Sequence, residues 1–460
     1  VLTALVDWYL LTGEDTITER IENMIQAFNR ISVQKEDYCY FPANEWLGDR
    51  WQPLSEQEDL ENWRGAYSGQ PIEPLVRYYE ATKSRGALEL AKRLANGLLW
   101  GEHCERVFNQ DGSFWGHVHT RTSSAAGLVR LGLLTGNEDY LYAGKRVYDF
   151  TKTWSSNFGF VPEGLGQLNG RPLKTNGVCE VCCITDMINL QILLAEAGYE
   201  EHWDEAECYL RNHLIETQFT LSPKYTRLIK NTTKIQDTSA TTYTDVANRV
   251  AGGFIGRTYP DTAAVDFPKD RGIPDAVKSL CMGGCCVAAG VRALFLTWNH
   301  IVTKKENGVF VNLSLSRDTK WMEVISYHPY EGKLRIIIHE DQPAVYLRVP
   351  RWVTHNEVEL IIGGKKEEVH WHGNYVVCKD VVKGQEISLL YPLREQERVE
   401  TVPSEKKEYS VLWRGNTMVK IYSKEEHRIV APLYQRDQLR VNKAPLSEAH
   451  PYFPEKEIQW

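Results

Sequence analysis

The sequence predicts a mainly α plus β protein, in which a helical-hairpin barrel of the (α/α)6 type precedes β-sandwich structure. Up to about residue 300, apolar residues recur at spacings of three and four, which is typical of amphipathic helices. From about Asn307 onward, apolar and polar residues alternate, which is typical of strands. We therefore predict an α/α barrel over residues 1–304, a β-sandwich over 305–392 and a second, partial β-rich domain over 393–460.

The predicted barrel consists of helical hairpins whose turns contain glycine, a residue that readily adopts the left-handed conformation that ends a helix. Four such turns contain Gly13, Gly86, Gly136 and Gly198. A further helix is predicted from Val287 to His300. A ring of six hairpins needs more helices than these. The chain also opens within a helical pattern and without methionine, so we expect the natural N-terminus to be missing.

The predicted strands are separated by glycine- and proline-containing turns, as expected for a β-sandwich. The clearest are Val309–Leu315, Lys333–His339, Ala344–Val349 and Glu357–Ile362.

The composition indicates an ordinary, mildly acidic protein. Its 460 residues are 42% hydrophobic and carry a formal net charge of −8, which suits two or three domains with their own cores. There is no basic patch interleaved with aromatic residues, and no apolar run of the roughly 20 residues that span a membrane. We therefore predict neither a nucleic-acid nor a membrane partner. Clustered free thiols favour a reducing compartment such as the cytoplasm; the oligomeric state stays open.

Six of the ten cysteines lie in two groups far apart in the sequence. The groups are Cys179, Cys182 and Cys183, and Cys281, Cys285 and Cys286. Adjacent cysteines seldom form a disulfide with each other, because the ring is strained. Zinc accepts thiolates at about 2.3 Å and a carboxylate oxygen at about 2.0–2.2 Å in a tetrahedron. One zinc site would be completed by Glu180, Cys182, Cys285 and Cys286 if the fold brings the two groups together.

Two further expectations concern these cysteines. Cysteine is often a small buried hydrophobic residue, and we expect this of the isolated Cys39, Cys104, Cys208 and Cys378. Glu180 and Cys182 share a side only in extended backbone, because two residues of a helix at this spacing point apart. We therefore predict that the following helix begins near Thr185, and that Cys285 and Cys286 precede the next one.

The segments Glu180-Val181-Cys182 and Cys285-Cys286, with Gly116-His117 and Glu163 ahead of them, resemble a divergent branch of glycoside hydrolase family 127. This family is typified by β-L-arabinofuranosidases, and the resemblance covers most of the chain. It implies an α/α barrel followed by β-sandwich domains. It also implies zinc held by Glu180, Cys182, Cys285 and Cys286, with Cys285 as nucleophile and Glu163 as general acid and base. The expected activity is retaining exo-hydrolysis of a β-L-arabinofuranoside or related sugar in a plant-type oligosaccharide or glycan.

Sugar recognition is expected from His117 first and His119 second. Family members carry Gly-His-Leu-Ile-Glu at the start of a hairpin helix, and its histidine contacts the sugar; this sequence has Gln70 instead. Glutamine offers a donor and an acceptor but no charge, so we expect altered specificity, with pentoses, uronic acids and branched sugars as candidates. Cys281 also departs from the family, because it lies farther from Cys285 than in a Cys-x-Cys-Cys arrangement.

Three alternative functions stay open. Another α/α-barrel carbohydrate enzyme, such as an unsaturated uronyl hydrolase or a lyase, would not need clustered thiols. A non-catalytic carbohydrate-binding protein with a structural zinc would tolerate the loss of Glu163. A hydrolase that uses zinc-bound water would need an open coordination position, which three thiolates and a carboxylate close.

Overall fold

The computed structural model describes residues 1–41, 44–46, 51–53, 64–101, 107–165, 167–168, 171–172, 178–223, 225–226, 239, 244–263, 282, 284–423 and 431–445. Its helices in chain order are α1 (Leu2–Thr12), α2 (Asp15–Ile31), α3 (Ile72–Thr82), α4 (Arg85–Trp100), α5 (Val118–Thr135), α6 (Glu138–Trp154), α7 (Val181–Glu196), α8 (His202–Tyr209), α9 (Val246–Arg249) and α10 (Gly284–Asn299). A π-helical turn, Leu210–Leu214, continues α8.

The long helices form antiparallel hairpins around a common core. In the described part of the chain these are α1 with α2, α3 with α4, α5 with α6, and α7 with α8. The first helix of each hairpin packs against the first helix of the next, and α7 then packs against α10. These helices form the inner layer, and α7 is buried along nearly its whole length. The amphipathic pattern of α2 and α4 matches their outer position, where one face meets the inner layer and the other meets solvent.

Glycine ends the helices at two of the predicted turns. Gly13 and Gly136 take the left-handed conformation, with φ of 69° and 68°. The prediction was wrong for Gly86, which lies in the first turn of α4. Lys83, with φ of 60°, ends α3 instead, and Ser84 already caps α4 by accepting a hydrogen bond from the Ala87 N–H.

The strands fall into short pairs among the helices and longer sheets after them. The short strands are β1 (Val33–Gln34), β2 (Cys39–Tyr40), β3 (Asn44–Trp46), β4 (Trp51–Pro53), β5 (Gly116–His117), β6 (Gly164–Leu165), β7 (Gln167–Leu168), β8 (Arg171–Pro172), β9 (Cys179–Glu180) and β10 (Arg257–Thr258). The later strands are β11 (Val302–Lys305), β12 (Gly308–Val311), β13 (Arg317–Asp318), β14 (Met322–Ser326), β15 (Lys333–Ile338), β16 (Gln342–Arg348), β17 (Glu359–Ile362), β18 (Lys365–Glu367), β19 (Trp371–His372), β20 (Tyr375–Val381), β21 (Glu386–Leu390), β22 (Glu395–Val402), β23 (Lys407–Arg414) and β24 (Thr417–Tyr422).

Strands β11 to β21 make the two sheets of a sandwich. One sheet has the order β11-β12-β16-β20-β19, and the other has the order β13-β14-β15-β21-β17-β18. Alternate residues of β15 are buried, as expected of a strand with one face on a core. Two predicted strands are shorter than expected: β12 ends at Val311, and β17 begins at Glu359 after a 3-10 turn, His355–Glu357.

A third sheet, β22-β23-β24, covers part of the predicted third unit. Beyond it, residues 431–436 run between this sheet and the helical region. Pro432 pairs with Thr262, and Gln435 pairs with Lys420 of β24. The end of the predicted unit, residues 446–460, lies outside the described residues.

The inner helices α1 and α10 flank a groove of about 840 Å³, lined in part by Trp8, Leu11, Val291 and Phe295.

Among the described residues, no helix combines the length and the apolar character that crossing a bilayer requires.

Candidate metal and thiol site

Two short antiparallel strand pairs hold the site residues that precede the helices. β5 pairs with β6, and β9 pairs with β10, so that Arg257 lies opposite Glu180. The segment around Glu163 joins the two pairs, because its N–H donates to the Val178 carbonyl and its carbonyl accepts from the Val118 N–H, at 2.8 and 2.9 Å. Backbone hydrogen bonds therefore fix segments that are distant in sequence next to one another.

Cys182 meets Cys285 and Cys286 because helices α7 and α10 pack side by side. The Thr185 hydroxyl donates to the Ala289 carbonyl at 3.0 Å and links the helices one turn after the cysteines. Gly290 permits this arrangement, because a Cβ atom at that position would lie 2.2 Å from Cγ of Phe254. Glycine is therefore required at this point of α10 for Phe254 to pack.

The predicted helix boundaries at the site were wrong. α7 begins at Val181, with Glu180 as its extended N-cap residue, so Cys182 lies in the first helical turn. α10 begins at Gly284, so Cys285 and Cys286 also lie in a first turn. The pairing of β9 ends at Glu180 and the helix starts immediately after it. Glu180 at the N-cap and Cys182 in the first turn therefore reach the same point, although two helical residues at this spacing would point apart.

The structure brings together the four residues predicted to bind zinc. One donor atom from each of Glu180, Cys182, Cys285 and Cys286 lies within 4.8 Å of the others. The Sγ atom of Cys286 lies 3.7 Å from that of Cys182, 3.9 Å from that of Cys285 and 3.7 Å from Oε1 of Glu180. A tetrahedral ion with metal–sulfur bonds of about 2.3 Å separates its ligands by about 3.8 Å. The donor set and its spacing therefore fit a metal ion.

Burial separates the four residues into two kinds. Glu180, Cys182 and Cys286 are buried, whereas Cys285 is exposed. A ligand set whose members are all buried would serve structure alone. Here one thiol faces solvent, so a small molecule can reach its sulfur atom.

The protein's own charges do not favour three thiolates at this point. Burial and then the neighbouring Cys286 raise the pKa of Cys285. The contact with Cys286 raises the pKa of Cys182, while the same contact lowers that of Cys286. Burial opposes the charge of Glu180, but the hydrogen bond with His117 holds the pKa of that carboxyl below its usual value. A divalent cation would compensate the negative charge of these groups when they are ionised.

His117, predicted to bind sugar, contacts a predicted metal ligand. Its Nε2 atom lies 2.8 Å from Oε2 of Glu180, the oxygen that Cys286 does not contact. His117, Glu163 and Glu180 also place one ligand atom each within 4.8 Å of one another. One carboxylate oxygen of Glu180 thus faces Cys286, while His117 and the Cys183 thiol, at 3.6 Å, contact the other.

Glu163 is buried and forms an ion pair that the sequence did not predict. Arg257 donates to both carboxylate oxygens, through Nε to Oε2 at 2.9 Å and through Nη2 to Oε1. The β9–β10 pairing places Arg257 beside the site. Arg257 carries no local motif. Only the knowledge that β10 pairs with the strand of Glu180 identifies it.

His119 lies beside His117 and forms a second unpredicted pair. Its Nδ1 atom lies 2.7 Å from Oδ2 of Asp186, which also accepts from the Thr122 hydroxyl at 2.9 Å. Burial opposes the charge of the ring, but Asp186 raises the pKa of His119 to about 9. Gln70 was predicted near the sugar, and its amide nitrogen lies 3.4 Å from Nε2 of His119. The same amide nitrogen donates to the Ser123 hydroxyl at 3.3 Å.

The remaining cysteines differ from the three at the site. Cys179 and Cys183 are buried in the core, and burial raises the pKa of both thiols well above its usual range. Cys39 and Cys378 are buried as well, whereas Cys208 is partly exposed. Cys104 and Cys281 lie outside the described residues.

No protein-family model and no curated protein matches this sequence. Solved structures share its fold, and three of them are glycoside hydrolases that cover most of this chain. A family 127 β-L-arabinofuranosidase from Geobacillus stearothermophilus T6 is 16% identical with a TM-score of 0.51, over 91% of this chain and 75% of its own. A family 127 β-arabinofuranosidase is 15% identical with a TM-score of 0.59, over 91% and 63%. A third glycoside hydrolase is 14% identical with a TM-score of 0.56, over 91% and 76%. The chain therefore has the fold of family 127 glycoside hydrolases, which confirms the predicted barrel followed by a β-sandwich.

Proposed function

We propose that this protein is a retaining exo-glycoside hydrolase in which the Cys285 thiolate is the nucleophile and Glu163 is the general acid and base. One observation carries the proposal. Cys285 is the exposed member of a group that could hold a metal ion, and Glu163 belongs to a second group that shares Glu180 with the first. A nucleophile must be accessible to the substrate, and a general acid and base must lie within reach of the atom to which it transfers a proton.

Zinc is the proposed metal, with Glu180, Cys182, Cys285 and Cys286 as ligands, because three thiolates and one carboxylate suit its tetrahedral coordination. When bound, the ion would keep the Cys285 sulfur ionised at neutral pH. The chain itself holds the donors in place. His117 orients Glu180, and the first turns of α7 and α10 present the thiols.

In the first step, Cys285 Sγ attacks the anomeric carbon of the sugar. A carbon–sulfur bond forms, the glycosidic carbon–oxygen bond breaks, and the leaving oxygen takes a proton from Glu163. In the second step, Glu163 takes a proton from water. The water oxygen attacks the anomeric carbon, the carbon–sulfur bond breaks, and the thiolate is restored.

Arg257 stabilises the form of Glu163 that the second step requires. A two-point ion pair needs an ionised carboxylate, and that is the form that removes a proton from water. The first step needs protonated Glu163, so Arg257 must withdraw from at least one oxygen when the leaving group binds.

The proposed sugar is a β-L-arabinofuranoside or a related sugar with a different hydroxyl pattern. Gln70, His119 and Ser123 form a polar group beside the site, since the Gln70 amide contacts both His119 and the Ser123 hydroxyl. Gln70 replaces the histidine of family members, and a mismatched buried polar contact changes specificity by orders of magnitude. Restoring the histidine, in Gln70→His, is therefore expected to shift activity toward β-L-arabinofuranosides.

A panel of nitrophenyl glycosides that includes β-L-arabinofuranoside, other pentosides and uronosides tests the proposal. We expect one glycoside to be cleaved with retention of anomeric configuration, as followed by NMR of the first product. Cleavage should be lost in both Cys285→Ser and Glu163→Gln. Inversion, or full activity in either variant, would contradict the mechanism.

The alternative, a carbohydrate-binding protein with a structural zinc, is favoured by one observation: Arg257 engages both oxygens of Glu163. A protein with this alternative function would bind sugar and metal but cleave none of the glycosides. Its sugar affinity would survive Glu163→Gln.

A further inference from the structure

A second pocket lies between the outer helices α4 and α6, and none of its lining residues belongs to the thiol site. It has a volume of about 530 Å³, within the range of small-molecule sites. It is formed by the end of α4, the first half of α6 and residues 108–110, which precede α5. The residues that line it are Leu98, Leu99, Trp100, Phe108, Asn109, Gln110, Asp139, Ala143 and Arg146.

Trp100 is the principal aromatic residue of this pocket. The side chain is 57% exposed, so much of the indole faces solvent. Behind it lies Tyr140, with a ring centroid 6.0 Å away and planes at 41°. The Tyr140 hydroxyl donates to Oδ1 of Asn96 at 2.6 Å, which anchors that support. A supported and exposed indole is a platform for the apolar face of a sugar ring.

The polar side of the pocket is held by a tight loop. The Asn109 N–H donates to the Ser113 carbonyl at 2.7 Å, and the Gly112 N–H donates to the Asn109 carbonyl at 2.9 Å. Gly112, with φ of 84°, lies so close to α6 that a Cβ atom would be 2.3 Å from the Arg146 carbonyl carbon. Asn109 and Gln110 are exposed on this loop. The backbone that carries these two side-chain amides is therefore already ordered before a ligand binds.

The charge of the pocket is balanced. One carboxylate, Asp139, and one guanidinium, Arg146, line it together with the two amides. Planar polar groups of this kind donate to and accept from neighbouring hydroxyls. A charged ligand would be attracted by one of the two ionised groups and repelled by the other.

We propose that this pocket binds a neutral oligosaccharide, with one sugar ring stacked on Trp100 and its hydroxyls bonded to Asn109, Gln110, Asp139 and Arg146. This site is separate from the proposed catalytic site, and binding there requires no hydrolysis. The loop that carries Asn109 and Gln110 continues directly to Gly116–His117 at the thiol site. A polymer held at the pocket is thereby kept on the protein that would trim it.

Native affinity electrophoresis of the full chain in gels with arabinan, xylan or glucomannan tests this proposal. We expect at least one polymer to retard the protein, and Trp100→Ala to weaken that binding about tenfold, the effect of losing roughly 1.4 kcal/mol of stacking. Trp115→Ala is the matched control, because Trp115 is also exposed, at 49%, but packs its ring edge-on against Phe150 and Trp154. The Trp115→Ala variant should be retarded as much as the unsubstituted protein.

Two further variants separate binding from folding. Trp100→Phe keeps an aromatic face and should recover part of the affinity, and Gln110→Ala, at an exposed loop position, should lower it. Cleavage of a small nitrophenyl glycoside should be unchanged in all of these variants. The Cys285→Ser variant should still bind the polymer, so loss of catalysis leaves the binding result intact. No retardation by any polymer, or equal retardation of Trp100→Ala, would overturn the proposal.

Discussion

Arg257 and Glu163 form a two-point ion pair although 94 positions separate them in the sequence. The pair lies beside the group of thiols, and the antiparallel register of β9 and β10 sets Arg257 opposite Glu180. The same short β-pairing therefore positions a proposed metal ligand and the partner of the proposed acid and base.

The first prediction concerns this pair. Replacing Arg257 by glutamine should lower kcat by about 10- to 100-fold with a smaller change in KM, because Glu163 loses its orientation while the sugar-binding residues stay in place. Arg257→Lys keeps the charge without the two-point geometry and should restore only part of the rate. The control is Arg335→Gln, which breaks an exposed ion pair with Glu386 on the sandwich. An unchanged kcat in Arg257→Gln would show that the pair has no role in turnover.

Metal content provides the second prediction. Protein purified under reducing conditions should hold about one zinc per chain by elemental analysis, because four donors lie within one coordination sphere. Cys182→Ser and Cys286→Ser should each lose most of it. Cys378→Ala is the control, since Cys378 is also a buried free thiol but lies on β20 of the sandwich. A disulfide among the thiols with no stoichiometric metal would show that the site is not a metal site.

Exposure leads to the third prediction. A haloacetamide sugar should label Cys285 before any other cysteine of the native, zinc-loaded protein, because Cys182 and Cys286 are buried. Peptide mapping reports the labelled residue. Cys285→Ser should have no turnover even where zinc is retained by the other ligands. Labelling of Glu163 alone would contradict a thiolate nucleophile.

The fourth prediction is a pH dependence. His119 should titrate near pH 9, and Asp186→Asn should return it toward the ordinary value of about 6.5, as followed by NMR of the imidazole. The folded-state pKa is raised, so the charged pair contributes stability fully below about pH 6.5 and loses it as the pH rises through 9. The free energy of unfolding should therefore decline over this interval, and less steeply in Asp186→Asn. A titration of His119 near pH 6.5 in the unsubstituted protein would contradict the pairing.

The fifth prediction concerns the contact between α8 and the sheets. Glu207 is fully buried and contacts Arg211 at 2.8 Å and Arg348 at 2.7 Å, and these cations bring its pKa to about 2 against the effect of burial. Glu207→Gln should cost about 3–5 kcal/mol of unfolding free energy, because it removes the buried carboxylate that pairs with Arg211 and leaves Arg348 with Asp204 alone. Glu359→Gln, at an exposed pair with Lys366, should cost less than about 1 kcal/mol.

Denaturant unfolding measures both variants. Because the pKa of Glu207 is lowered, its contribution is present above about pH 4.5 and is lost as the pH falls through 2. Equal destabilisation by the two substitutions would show that burial does not distinguish the pairs.

The sequence by itself determined where helices give way to strands and which side chains could bind a metal ion. The change of apolar period near Asn307 separates helices from strands, and the first long strand begins at Val302. Clustered thiols beside Glu180 predicted a metal site, and these residues do lie together. Such features are local, because period and donor type depend only on nearby residues.

Tertiary structure alone decided the partners and the helix starts. Arg257 and Asp186 carry no motif of their own, and their roles arise from the strand pairing and from the packing of α5 against α7. α7 begins at Val181 because the β9–β10 pairing ends there, which the spacing of Glu180 and Cys182 did not reveal. Contacts between distant residues depend on how buried faces pack, and that information is spread over the whole chain.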